Sequence, residues 1–313
     1  MGRVVSNDVS AAIPEIWLSA LQKNLEATLV TFEIANFELS DVKYGDTLRI
    51  NRFGDLSAAT YTPGTPLSAT NLDFAMDSLV VSAYKHATFY LDDIEELQSN
   101  IRKIGPLAEN AAYQLKSKID THVLNCITGT DGFTVGDTND FLAGTNARPL
   151  SAGSANIIDI FAGATKILMD RDVEMMGDLV AVITPKIAAD IAKKATSVGF
   201  NFADAALKNG LVGQFMGYKV YVSNNLPSGK CSAIGPGAGG TTASAISATS
   251  CKAIYFGRAK MIDVAMQRAP TFQINKCEDK LGYNYITSVV WGATVTTRNR
   301  SRGINAPVQS SYF

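Results

Sequence analysis

The fold of this chain is decided by Gly105–Thr128, GPLAENAAYQLKSKIDTHVLNCIT. Leu107, Ala111, Leu115, Ile119 and Val123 recur every four residues, with Ala108, Ala112 and Ile127 beside them. Side chains three and four apart share one face of a helix, so this is a single apolar stripe. Pro106 suits the first helical position, where its missing N–H costs nothing; Gly105 caps it and Gly129 supplies the stop. The spacing predicts a helix over 106–128, roughly 35 Å long at 1.5 Å per residue. Glu109, Asn110, Gln114, Lys116, Lys118, Asp120 and Asn125 are assigned to the wet side, where Lys116 and Asp120 can pair one turn apart. A helix with one dry stripe must lie across another element, here a sheet.

The chain has 313 residues, 46% of them hydrophobic, which is enough for one complex domain or two smaller ones around a large core. Lys plus Arg number 28 against 29 Asp plus Glu, a net charge of -1. That balance tolerates dense self-association and argues against a dedicated nucleic-acid binder, which would be basic. No apolar run reaches membrane-spanning length, and Met1-Gly2-Arg3 does not begin a signal-peptide pattern. Cys126, Cys231, Cys251 and Cys277 lack C-x-x-C spacing and read as reduced, mostly buried thiols.

Residues 1–12 form a polar arm. Pro14 opens a helix whose face carries Trp17, Leu21 and Leu25. Trp17 either packs locally or anchors a subunit contact, the role in which aromatic residues dominate interfaces. Thr47–Arg52 alternates as a strand, and Leu79, Val81, Ala83, Ala87, Phe89 and Leu91 alternate as another. The segment between them is rich in small residues and carries the turn signal Pro63-Gly64. This reads as one long hairpin with a broad tip. Such a ribbon has too little core to stand alone and requires a neighbouring chain. The acidic run Asp92-Asp93-Ile94-Glu95-Glu96 reads as the start of a helix, where carboxylates cap free N–H groups, ahead of a metal site.

Ile13-Pro14-Glu15-Ile16-Trp17, then Tyr44-Gly45-Asp46-Thr47, then a hairpin ending Leu91-Asp92-Asp93-Ile94, then a long helix, resembles the major capsid proteins of tailed bacteriophages. The resemblance is to the Hong Kong 97-type shell fold, an α+β architecture, and covers nearly the whole chain. It implies an N-terminal arm and helix (1–43), an extended loop hairpin (44–91) and a peripheral domain (92–153) with a spine helix. An axial domain (154–257) and a return to the peripheral domain with a C-terminal tail (258–313) complete it.

The rest of the sequence agrees. A Gly/Asp/Thr-rich loop over 130–153 is pinned at Phe133, Val135, Phe141 and Leu142. Ser154 caps a helix burying Ile157, Ile158, Phe161 and Leu168. Leu179–Ile183 is a strand covered on both faces, Thr184-Pro185 starts a helix to Lys194, and Tyr218–Val222 is a further strand. The glycine-rich 235–240 stretch lacks the Lys-Ser/Thr pair of a phosphate loop and reads as a surface loop. Ala253–Phe256 is a strand, Arg258–Arg268 is helix or strand, and Leu281–Trp291 is a long strand continuing past Gly292. Arg298, Arg300 and Arg302 fall on one side of an extended tail. They either line a solvated edge or contact acidic groups of a neighbour or DNA phosphates.

His86 and His122, the only histidines, sit in no nucleophile or metal spacing, so no catalytic residue, cofactor or metal is expected. The resemblance implies a non-enzymatic shell subunit forming hexamers and pentamers of an icosahedral virion around double-stranded DNA. The alternative is the shell of an encapsulin-like protein compartment. The capsid resemblance also implies assembly in the host cytoplasm with a portal, in some cases a decoration protein, and no membrane. The short arm before Ile13 implies a separate scaffolding protein. Contact candidates are Trp17, Tyr61, Pro63, Phe74 and the three arginines. Some relatives cross-link through a lysine on the extended loop; residues 53–78 contain none, so cross-linking is not expected.

Overall fold

A computed structural model describes residues 29–39, 44–54, 58, 60–64, 66, 74–92, 94, 104–128, 133–135, 157–174, 178–198, 213–228, 251–277 and 279–309. In chain order these form α1 (Thr31–Ile34), β1 (Ala35–Asn36), β2 (Thr47–Phe53), β3 (Phe74–Val80), β4 (Ala83–Asp92) and α2 (Ile104–Asn125). Then come β5 (Thr134–Val135), α3 (Ile157–Asp170), β6 (Leu179–Ile183), α4 (Pro185–Val198), β7 (Gln214–Phe215) and β8 (Tyr218–Val222). The last are β9 (Cys251–Arg258), β10 (Ile262–Lys276), β11 (Gly282–Thr294), α5 (Thr297–Arg300) and β12 (Gly303–Gln309). Trp17, the 235–240 glycines, Ser154, Phe141, Leu142 and the acidic run from Glu95 lie outside the described residues.

Among the described residues three sheets result. A four-stranded sheet has the order β1-β10-β11-β4, a six-stranded sheet the order β5-β12-β9-β6-β8-β7, and β2 and β3 pair only with each other. The segment left open as helix or strand becomes β10, with register shifts around Arg268. The spine helix α2 starts at Ile104, so Gly105 lies inside it, and its last turn tightens through hydrogen bonds ending at Thr128. Its stripe Ala111, Leu115, Ile119 and Val123 is buried, joined by Leu124 and Ile127. Each such aliphatic side chain contributes about 1.5–3 kcal/mol on full burial. α2 packs on β4 and β11, and beyond its end Ile127 O accepts from Phe133 N and from Asn305 Nδ2 at 2.9 Å. That ties the spine to the six-stranded sheet.

In the second sheet every residue of β6 is buried, as its continuous apolar run requires. α3 seats Phe161 edge-on against Phe215, Tyr218 and Phe256 at 4.9, 5.7 and 5.1 Å. β6 and β8 are parallel, with α4 in the crossover between them; α4 runs to Val198, past the expected end at Lys194. One main core spans both larger sheets. Cys126 and Cys277 are free thiols and only half-buried; Cys126 Sγ lies 3.6 Å from the carbonyl of Ala293.

Three expectations are corrected. Leu79–Leu91 is not one strand: β3 ends at Val80, Val81 N bonds Asp46 O at 2.7 Å, and β4 joins the other sheet at Ala83 opposite Trp291. Alternation runs through the break in phase, so periodicity could not show it. Asp120 is not on the wet side and does not serve Lys116. It is buried, and hydrogen-bond donors replace water around it. Arg298, Arg300 and Arg302 do not share an extended tail, because Asn299 N and Arg300 N bond back to Thr296 O and wind the chain into one helical turn.

Candidate intersubunit surface

The hairpin β2–β3 has two unlike faces, set by its register. Phe53 opposes Phe74, Asn51 opposes Met76, Arg49 opposes Ser78 and Thr47 opposes Val80. This face points to solvent: Phe53, Phe74 and Met76 are 64%, 69% and 63% exposed. The two phenyl rings meet edge-on at 5.3 Å, so they hold each other in place. Tyr61 is also exposed, and Pro63-Gly64 forms a turn with Gly64 at φ +88°, a conformation open to glycine. An apolar cluster presented to solvent on a two-stranded ribbon marks a surface that another molecule completes.

The opposite face meets the subunit. Leu79, fully buried, forms a small separate cluster with Ala265, bordered by Leu39, Leu48 and Val81. Gly292 of β11 passes so close to Val80 that a Cβ there would lie 2.3 Å from the Val80 carbonyl oxygen. Further out, Asp77 accepts from Thr297 Oγ1 at 2.6 Å and from Thr297 N at 3.1 Å. The hairpin and the arginine turn are therefore neighbours: Arg298 is exposed beside this contact, with Arg300 and Arg302 half-buried. Sequence reasoning named Tyr61, Pro63, Phe74 and the arginines but missed Asp77, Thr297 and Leu79. The available signal was a carboxylate, Asp77, set inside an alternating strand.

The segment leading from the N-terminal side is clamped at a second point. Asp120 Oδ1 accepts from Val30 N at 3.1 Å, from Thr31 N at 2.9 Å and from the Thr31 hydroxyl, and Oδ2 accepts from Asn225 Nδ2 at 2.9 Å. β1 then runs parallel to β10, where Asn36 Nδ2 donates to Asp263 Oδ1 at 3.1 Å. Burial raises the Asp263 carboxyl above the usual range, and the Asn36 bond opposes that rise.

His122 of α2 is a satisfied structural residue: its Nδ1 accepts from Trp291 Nε1 at 3.0 Å, with the rings edge-on. Burial, and then the charge of Lys85, hold its pKa below the ordinary value of 6.5. A depressed histidine favours the neutral folded form, so its contribution is intact above about pH 6.5 and is lost as pH falls towards the folded pKa. Urea midpoints are expected to fall between about pH 7 and about pH 5, and His122→Gln to flatten that slope. An unchanged slope would remove His122 from the account.

A sequence model described as phage capsid protein matches residues 39–300. A chain of Mycobacterium phage Che8 superposes with a TM-score of 0.69 at 18% identity, covering 94% of this chain and 96% of that one. The capsid structure of cyanophage P-SCSP1u gives 0.73 at 13% identity, covering 97% and 95%. The capsid of a native GTA particle gives 0.63 at 14%, covering 99% of both. No curated protein matches the sequence significantly. The fold is that of Hong Kong 97-type shell subunits. The chain belongs to the phage capsid protein family. It is a major capsid protein, a self-associating structural subunit of the virion shell, and the encapsulin-like alternative is not favoured.

Proposed function

We propose that this subunit forms hexamers and pentamers of an icosahedral shell around double-stranded DNA, without catalytic activity of its own. The outward apolar face of β2–β3 carries the reading. Each copy lays Phe53, Phe74 and Met76 on the next, with Tyr61 and Pro63 nearer the tip and Trp17 as a further contact candidate. Weak contacts of this kind gain their strength from repetition around closed symmetry. The working division is arm (1–43), hairpin (44–91, of which β4 pairs with β11 of the peripheral domain), peripheral domain (92–153 and 258–313) and axial domain (154–257). Arg298, Arg300 and Arg302 are contact candidates at the hairpin base, for a neighbour's carboxylates or for DNA phosphates. Assembly takes place in the host cytoplasm with a separate scaffolding protein and a portal, with a decoration protein as a further candidate partner.

The test is Phe53→Thr combined with Phe74→Thr. Both side chains are exposed in the lone subunit, so its stability should fall by no more than the lost ring pair, about 1 kcal/mol, while closed particles counted by negative-stain microscopy fall at least about tenfold. Even one interface anchor is worth roughly 1–2 kcal/mol, and every copy loses two. Wild-type yields of particles from the double variant would defeat the reading.

A further inference from the structure

We infer that the Asp77–Thr297 contact is a latch that sets the hairpin angle in the free subunit before it meets another copy. The inference rests on the shell reading above. The hairpin is held at its base by apolar contact of Leu79 with Ala265, beside the close passage of the Val80 backbone over Gly292. Such contact has little directional preference and acts as a pivot. Asp77 lies three residues further out than Val80, about 10 Å along a strand, and so works on a longer lever. Its two oxygens take separate donors of one residue, the hydroxyl and the backbone N–H of Thr297, which fixes direction as well as distance.

Two features mark this as a latch and not a brace. Thr297 is exposed and Asp77 half-exposed, so both groups are rehydrated when the contact opens, whereas a buried carboxylate would be stranded. Thr297 is the first residue of α5, and an N–H in that position has no acceptor inside its own helix, so this donor is left for the hairpin. A second polar tie, Gln267 Nε2 to Gly45 O at 2.7 Å, holds the chain just before β2 and does not constrain the outer strands.

The test compares Asp77→Ala and Thr297→Val with the wild-type full chain, by amide exchange on unassembled protein and by particle microscopy. Exchange in 47–53 and 74–80 should quicken about fivefold to tenfold in Asp77→Ala and less in Thr297→Val, which keeps its N–H, with α2 and β11 unchanged. Open or misshapen particles should rise in the same order. Unaltered hairpin exchange would overturn the latch, as would acceleration spreading through α2 and β11. Faster hairpin exchange with normal particles would overturn its role in presetting the angle. Failure of the wild-type chain to form shells would instead count against the shell reading, while the exchange result would still judge the latch.

Discussion

Asp120→Ala should lower folding stability by about 3–5 kcal/mol, the largest effect expected of any single side chain outside the apolar core. The reason is the number and burial of what it leaves behind. Val30 and Thr31 are each 1% exposed, and their N–H groups lose their acceptor together with the Thr31 hydroxyl and the Asn225 amide. No water reaches those donors without the chain opening. Asp120→Asn keeps one acceptor oxygen on the three-donor side but sets an NH2 against that of Asn225, so it should recover only part of the loss. Urea denaturation of the unassembled chain measures both, and early protease cutting near residue 30 would report that this segment has come free. An unchanged midpoint in Asp120→Ala would mean that this carboxylate joins nothing.

Gly292→Ala should also destabilise, by about 2–3 kcal/mol, where a glycine-to-alanine change within a strand ordinarily helps by a few tenths or more. The added Cβ would lie 2.3 Å from the Val80 carbonyl oxygen and 2.9 Å from the Val81 Cα, and these are backbone atoms that cannot rotate away. Either β11 shifts in its sheet or the hairpin lifts off Leu79's seat. Denaturation gives the size of the effect. The second outcome would show as particle loss larger than the stability change explains. A stabilised Gly292→Ala would mean that the close approach does not exist.

Much of the architecture was legible because its signals are local. The four-residue recurrence from Leu107 to Val123 located the spine, the unbroken Leu179–Ile183 run located a doubly covered strand, and Pro63-Gly64 located a turn. What stayed hidden depends on partners distant in sequence. Asp120 reads as solvated from its neighbours alone; only folding brings Val30, Thr31 and Asn225 to it. The break after Val80 was invisible because β3 and β4 keep the same alternation while serving different sheets. The arginines lost their extended tail to backbone bonds onto Thr296, which no side-chain pattern announces. For the surface, exposed aromatics near Pro63 were readable by type, but the side of the ribbon that bears them follows from a register set by pairing.

The strand order also bears on translation. β4 and α2 leave the ribosome long before β11, their shared partner, and β6 and β9 precede β12, which lies between β5 and β9 in their sheet. The ribbon β2–β3 can pair early, yet the glycine it rests on and the threonine that tethers it are made only after β4 to β10. A nascent chain therefore has a loose ribbon and an unfinished body until residues near 300 emerge. Copies from which residues near 300 have yet to emerge are poor building blocks, because their ribbon lacks both its seat and its tether.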